Sequence, residues 1–174
     1  MRNLSIPALL ALAAFLAAPA AHAAAEHSIG KAIEKDHMLI APNYLTGITL
    51  SRLPKGASTA PGAIHLEVDV HAAKSEPHGF PAGAWMPYLT VDYTIRKIGG
   101  DFKASGRLYP MTAGDGPHYA NNVALAGPGD YRLTYSFKPP SSNGFIRHTD
   151  KASGVPGWWK PFSLDWSFRY PAKP

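Results

Sequence analysis

Side chains able to bind a metal alternate with apolar ones along the segment AIHLEVDVHAA, residues 63–73. Successive side chains of a strand point to opposite faces, so His65, Glu67, Asp69 and His71 share one face. With a rise of about 3.3 Å per residue, His65 and His71 lie about 20 Å apart and cannot bind one ion. The strand therefore predicts a metal site built on His65 and Glu67, with Asp69 behind them and His71 in a structural role. Taken alone, the stripe also fits an ordinary solvated face.

The segment MTAGDGPHYANN, residues 111–122, carries a thioether, a carboxylate and an imidazole among glycine, proline and asparagine. Its composition predicts a loop that gathers Met111, Asp115 and His118 on one side. A lone methionine is usually packing filler, but together with a His/Glu strand the three predict the second half of the site. His148, in GFIRHTD, is either a further ligand or a surface histidine in a salt-bridged turn.

These donors select a class of metal. Imidazoles suit copper, zinc, iron and nickel, carboxylates suit harder ions, and a methionine sulfur favours copper, particularly Cu(I). The chain has no cysteine, which excludes thiolate sites and a blue-copper centre. The set predicts copper, with tolerance for iron or manganese. No nucleophile elbow, zinc-protease helix or phosphate-binding glycine loop is present in the sequence, whereas a glycosidase-like carboxylate pair stays open.

Short runs of β-branched and aromatic residues, separated by Pro, Gly, Ser and Asn, must position these side chains. The 17 prolines and 16 glycines argue against long helices. The fold prediction is all-β, an immunoglobulin-like antiparallel β-sandwich. The long connections at 71–85 and 138–162 contain aromatic residues and histidine and are expected to be functional. Strands are predicted near 43–53, 63–73, 86–97, 102–109, 130–138 and 162–170.

The N-terminus predicts export. Residues 1–23 carry Arg2, an apolar run and small residues ending in Ala21-His22-Ala23, the pattern of a signal peptide cleaved near Ala23. Residues 24–174 then form a single metal-binding domain. The net charge of +5 comes from scattered lysines and arginines, so a nucleic-acid partner is not expected.

Several blocks, in order, resemble the periplasmic iron-transport protein family, copper-binding accessory proteins of bacterial iron permeases. The resemblance covers about residues 38–170 and rests on HLEVDVHA, GFPAGAWMPYLTVDYTI, PMTAGDGPHYANN, YRLTYSFKPP and GFIRHTDKASGVPGWWKPF. It implies a periplasmic, immunoglobulin-like homodimer with a copper site. The ligands that it implies are His65, Glu67, Met111, Asp115, His118 and His148, the last offered across the dimer interface. Pro42, in DHMLIAPNYL, departs from the family pattern and predicts an edge position or a bulge.

The leading hypothesis is a non-enzymatic periplasmic protein of high-affinity iron uptake. It would hold copper, and iron or manganese, and assist delivery of iron to an inner-membrane permease. One alternative is a copper-dependent Fe(II) oxidase, which would need a partner to accept electrons. Another is a metal-independent interaction module, for which Trp158, Trp159 and Phe162 would supply an aromatic surface.

Overall fold

A computed structural model describes residues 26–171, so the predicted signal peptide lies outside the described residues. Within this part of the chain, no helix is long and apolar enough to cross a membrane. Over the same residues the chain forms strands and one 3₁₀ turn, Pro140–Asn143. The strands are β1 (His27–Ser28), β2 (Ile33–Lys35), β3 (Met38–Thr46), β4 (Ile64–Ala72), β5 (Thr90–Lys97), β6 (Lys103–Ala113), β7 (Gly116–Val123), β8 (Gly129–Lys138) and β9 (Phe162–Tyr170).

The strands pair antiparallel in two layers. One layer has the order β3-β4-β7-β6 and the other β5-β8-β9, with β1 and β2 added beside β3. In chain order β3 to β9 therefore occupy the places of strands A to G of a constant-type immunoglobulin domain, ABED and CFG. The first half of β6 pairs with β5 and the second half with β7, which curls the sheet from one layer into the other. The predicted all-β antiparallel sandwich is confirmed.

The core lies between the layers, where one face of β4 meets one face of β8. Ile64, Leu66, Val68 and Val70 are fully buried, as the alternation predicts. Their partners across the core are Tyr131, Leu133, Tyr135 and Phe137, which are equally buried.

The opposite face of β4 is not the solvated face that alternation alone allows. His65 is 4% exposed and Glu67 is 6% exposed. The long β3–β4 connection lies beside these strands and is tied to β7: the amide of Ser58 donates to the carbonyl of Asn122 (2.8 Å), and Asn121 Nδ2 donates to the carbonyl of Lys55 (3.2 Å). Buried imidazole and carboxylate groups on this face need partners of their own.

The prediction of a loop over residues 111–122 is wrong. Residues up to Ala113 continue β6, and β7 begins at Gly116, so just Gly114 and Asp115 form the turn of a hairpin. Gly116 has φ 137°, a conformation that glycine adopts without strain. Glycine and proline in this segment therefore shape a tight turn between paired strands.

Pro42 lies inside β3, which is flanked on both sides, so the expected edge or bulge is not what accommodates it. Its Cα partner on β4 is Val68, and its carbonyl accepts a hydrogen bond from the amide of Ile29 (2.9 Å) on the other side. A residue's N–H and C=O point to the same side of a strand, so the missing donor of Pro42 faces away from β4. The pairing of β3 with β4 therefore loses no hydrogen bond.

Candidate metal centre

Three buried side chains converge on the outer face of the β4–β7 pair. The ligand atoms of His65, Glu67 and His118 all lie within 4.8 Å of one another. Glu67 Oε2 is 3.9 Å from His65 Nε2 and 3.6 Å from His118 Nε2. The two imidazole rings meet edge to face, with centroids 5.9 Å apart. We call these three residues the buried triad.

Strand register produces this convergence. His65 and Glu67 are two residues apart on β4 and therefore share a face. Glu67 is opposite Ala120 on β7, and His118 lies two residues before Ala120, so His118 is the diagonal neighbour of Glu67. A slip of one residue in either strand would send its ligand into the apolar core.

Protonation of His65 is set by its neighbour Asn122. His65 Nδ1 lies 2.8 Å from Asn122 Oδ1, an atom that accepts hydrogen bonds but cannot donate one. Nδ1 therefore carries the proton, and Nε2, on the Glu67 side, keeps its lone pair. Burial lowers the pKa of His65, which favours the neutral ring that binds metals.

His118 presents a polar atom that the protein does not satisfy. Its Nε2 is buried and has no hydrogen-bond partner among the described residues. The 3.6 Å separation from Glu67 is too long for a hydrogen bond. An unsatisfied buried polar group costs about 1–3 kcal/mol, and a metal ion placed between the triad atoms would remove that cost.

Glu67 is buried close to three other carboxyl groups. Its pKa is raised to about 8, first by burial and then by repulsion from Asp69, Glu26 and Asp115. Near neutral pH the metal-free carboxyl therefore holds a proton for much of the time. A cation bound beside it would take the place of that proton.

Met111 is brought to the triad by the hairpin. It is the Cα partner of His118 across β6 and β7, so the two side chains share a face with Cβ atoms about 4.5–5.5 Å apart. Met111 is half-buried and lines a cleft of about 620 Å³ between β6 and residues 49–55 of the β3–β4 connection. Met111 is thus the cross-strand neighbour of His118 on a regular element.

Asp115 and His148 lie apart from the triad. Asp115 is at the exposed hairpin tip, where it lines a cavity of about 230 Å³ with Asp69 and His71. The pKa of Asp69 is raised first by burial, and Asp115 adds a smaller effect in the same direction. His148 lies in the connection between the 3₁₀ turn and β9, with 74% of its side chain exposed. Within the described chain it is not part of the triad.

Two residues at the centre were missed by the sequence reasoning. Glu26 places its carboxylate with those of Glu67 and Asp69, their ligand atoms within 4.8 Å. Asn122 fixes the His65 ring. Asn122 lies four residues after His118, on the same face of a strand, so recognising the hairpin would have found it; Glu26 stands alone in the sequence and gives no such signal.

The donors fit copper. Two imidazoles with a methionine on the neighbouring strand are a set that copper binds in either oxidation state, and the carboxylate adds affinity for Cu(II). The neighbouring carboxylates of Glu26 and Asp69 are oxygen donors that harder ions prefer.

Comparison with known proteins agrees with this chemistry. The model of the family described as Fe2+ transport protein matches residues 23–172. The chain belongs to this family. A UPF0423 protein of Brucella abortus (strain 2308) is 39% identical over 173 residues, which cover 98% of this chain and 95% of that protein.

Solved structures of family relatives contain copper. A copper-bound Glu-to-Gln variant of FetP from uropathogenic Escherichia coli strain F11 is 39% identical and superposes with a TM-score of 0.81 over 86% of this chain and 99% of that one. The copper-reconstituted P19 protein of Campylobacter jejuni is 41% identical, with a TM-score of 0.78 over 86% and 99% of the two chains.

Proposed function

We propose that this chain is a periplasmic metal-binding protein of high-affinity iron uptake, which holds copper and assists delivery of iron to an inner-membrane permease. The observation that carries the proposal is the buried triad, in which His118 Nε2 lacks a hydrogen-bond partner among the described residues. Membership of the Fe2+ transport protein family supports the role in iron transport. The copper in the two solved relatives supports copper as the resident metal, and the predicted signal peptide supports export.

Each residue around the triad has a distinct task in holding copper. Nε2 of His65 and of His118, the Glu67 carboxylate and the Met111 sulfur would be the ligands. Copper, when bound, supplies one-electron redox chemistry. Asn122 holds the His65 ring with its lone pair toward Glu67. Burial of the triad keeps water away, so its lone pairs stay available to the metal.

Copper binding is tested by removing two ligands together. The double variant Met111→Ala, His118→Ala is expected to lose the roughly one copper per chain that the purified protein retains after dialysis, measured by elemental analysis. The matched control is His37→Ala with Met86→Leu. His37 is exposed and bonded to Ser75 Oγ (2.9 Å), and Met86 lies in the core. Unchanged copper content in the first variant contradicts the assignment.

Iron, or manganese as its substitute, would use the carboxylates beside the triad. The oxygens of Glu26, Glu67 and Asp69 lie within 4.8 Å of one another, and the pKa of each group is raised, first by burial and then by repulsion from neighbouring carboxylates. We expect Glu26→Gln with Asp69→Asn to weaken Mn(II) binding in equilibrium dialysis and to leave copper content unchanged. If this double variant loses copper as well as manganese, the assignment of two separate, adjacent sites is contradicted.

His148 would complete the copper site from a second copy of the chain. It is exposed and lies outside the triad of its own chain. In a two-fold dimer each site would take the triad from one chain and His148 from the other. Variants His118→Ala and His148→Ala, unfolded and refolded together, should then regain about one intact site in four through random pairing. Ligation within one chain predicts no recovery on mixing, and a monomer by light scattering would contradict the dimer.

A copper-dependent Fe(II) oxidase is the second candidate. It is favoured by one observation: Glu67 belongs both to the triad and to the carboxylate group, so iron would bind directly beside copper. Stopped-flow mixing of excess Fe(II) with the copper-loaded protein separates the two functions. A binding protein oxidises about one iron per copper at most, because a single copper accepts one electron, whereas sustained turnover with dioxygen would establish the oxidase.

A further inference from the structure

The segment that carries His148 has a defined internal structure. We call residues 144–157 the His148 loop. Asp150 Oδ1 accepts hydrogen bonds from the amides of Ala152 and Ser153, each 2.9 Å long, and its Oδ2 accepts one from Ser153 Oγ (2.8 Å). Ser153 Oγ in turn lies 2.8 Å from His148 Nδ1. The three side chains therefore form a chain from carboxylate to hydroxyl to imidazole.

The positions of the protons in this chain follow from the donors that each group has. An ionised carboxylate accepts hydrogen bonds only, and a serine hydroxyl has a single hydrogen. Ser153 therefore donates that hydrogen to Asp150 and accepts from His148 with its lone pair. The proton of the neutral His148 ring must be on Nδ1, which leaves Nε2 unprotonated and free to bind a metal.

The backbone of the loop keeps this chain in place. The amide of Val155 donates to the carbonyl of His148 (3.1 Å), and Arg147 Nη1 donates back to the carbonyl of Val155 (2.9 Å). The amide of Gly154 donates to the carbonyl of Asp150 (2.9 Å), and a side chain at Gly154 would clash with that same oxygen. His148 is thus presented by a closed loop.

The loop is also fastened to the sandwich. The His78 ring stacks on Trp158 with centroids 4.2 Å apart, and His78 Nε2 lies 3.3 Å from the carbonyl of Gly157. Glu76 Oε1 lies 2.6 Å from His78 Nδ1, so the ring is held from both sides. A histidine held on a fixed loop, with one ring nitrogen already bonded, loses little freedom when the other nitrogen meets a metal.

We propose that Ser153 and Asp150 are positioning residues for His148: they fix its proton on Nδ1 and present Nε2 to the metal centre of a second copy. The inference rests on the proposed function, since it takes His148 as a ligand. The ring orientation and the proton position of His148 would then be set in the metal-free chain, before any metal binds. Asn122 does the same for His65 within the triad, so both rings are held through Nδ1 with Nε2 free.

Long-range ¹H–¹⁵N NMR of the metal-free protein, labelled at histidine, reads the proton position of His148 directly. In the wild type we expect the Nδ1–H form to dominate, and Ser153→Ala should shift the ring toward Nε2–H. Ser153→Thr keeps the hydroxyl and should restore the wild-type spectrum. Ser163→Ala is the matched control, because the Ser163 hydroxyl pairs with that of Ser136 (2.8 Å) instead.

Copper titration of the same variants distinguishes the role of Ser153 in fixing the proton of His148 from the role of His148 as a copper ligand. Ser153→Ala is expected to weaken copper by about 10–100-fold, the usual effect of removing a partner that orients a ligand, with Ser153→Thr close to wild type. If wild type and Ser153→Ala have the same Nδ1–H population, the positioning role of Ser153 is overturned, regardless of their copper affinities. If the proton shifts but neither Ser153→Ala nor His148→Ala weakens copper, the ligand role of His148 is overturned, and with it that part of the proposed function.

Discussion

The hydroxyl of Tyr135 on β8 crosses the core and donates a hydrogen bond to the backbone carbonyl of Glu67 on β4 (2.9 Å). These strands occupy the places of F and B, which antibody domains join by a disulfide. The chain has no cysteine. A tyrosine hydrogen bond therefore links the two layers directly beneath a residue of the metal centre.

Tyr135→Phe is predicted to lower the free energy of unfolding by about 1–2 kcal/mol, because a buried carbonyl loses its partner across the core. It should also alter the Cu(II) electron paramagnetic resonance spectrum, because the backbone of Glu67 loses its hydrogen bond to the opposite layer and the ligand can shift. Urea unfolding and the spectrum of the copper-loaded variant measure the two effects.

The matched control is Tyr131→Phe. The Tyr131 hydroxyl donates to the carbonyl of Gly127 (2.6 Å), in the connection between β7 and β8, and not to a residue of the metal centre. A similar loss of stability with an unchanged copper spectrum is expected there. If both variants change the spectrum equally, the Tyr135 bond has no specific influence on the site.

Glu67→Gln is predicted to change the pH dependence of stability in the metal-free protein. The pKa of Glu67 is about 8 in the folded chain, against an ordinary value of 4.5. Between these values the folded state binds more protons than the unfolded state, so this group makes the free energy of unfolding fall as pH rises from about 4.5 to 8. The glutamine does not titrate, and the variant should gain stability relative to wild type over that window.

Thermal unfolding with a chelator, at several pH values, measures this difference. The lowered pKa of His65 gives the opposite slope below about 6.5, but it is common to both proteins and cancels in the difference. Asp92→Asn serves as the control, because its carboxylate is partly exposed and paired with Arg107 (3.0 Å). Parallel curves for wild type and Glu67→Gln would show that Glu67 titrates normally.

The local pattern of β4 was sufficient to predict the strand, its buried face and the pair His65 and Glu67, because side-chain alternation is a property of one strand. The burial of that pair was not predictable, since it depends on how the β3–β4 connection folds back beside β4 and β7. The position of Met111 beside His118 was predicted for a wrong reason: a loop was expected to bring the two together, whereas the pairing of β6 with β7 does so. The glycine and proline content of residues 111–122 indicated a loop and not a hairpin. Strand formation there depends on pairing with other parts of the chain, which can outweigh local propensity.

Asn122→Ala is predicted to weaken copper binding by about 10–100-fold, because His65 loses the acceptor that holds its proton on Nδ1. Asn122→Asp retains an oxygen at that position and should keep most of the affinity. Competition with a chromophoric chelator measures both. Equal losses in the two variants would point to a packing defect rather than to loss of the acceptor.

Met111→Leu is predicted to weaken Cu(I) by roughly tenfold or more, about 1.4 kcal/mol, and Cu(II) by clearly less. The reason is the donor: a soft thioether contributes most to the soft ion, whereas the imidazoles and the carboxylate remain for Cu(II). Leucine keeps the apolar volume, so the fold should be little changed.

Met86→Leu is the control, since Met86 is buried in the core and its substitution should affect neither ion. Competition titrations with a Cu(I) chelator under anaerobic conditions and with a Cu(II) chelator in air give the two affinities. Equal losses for both ions would remove Met111 from the ligand set and leave His65, Glu67 and His118 as the site within one chain.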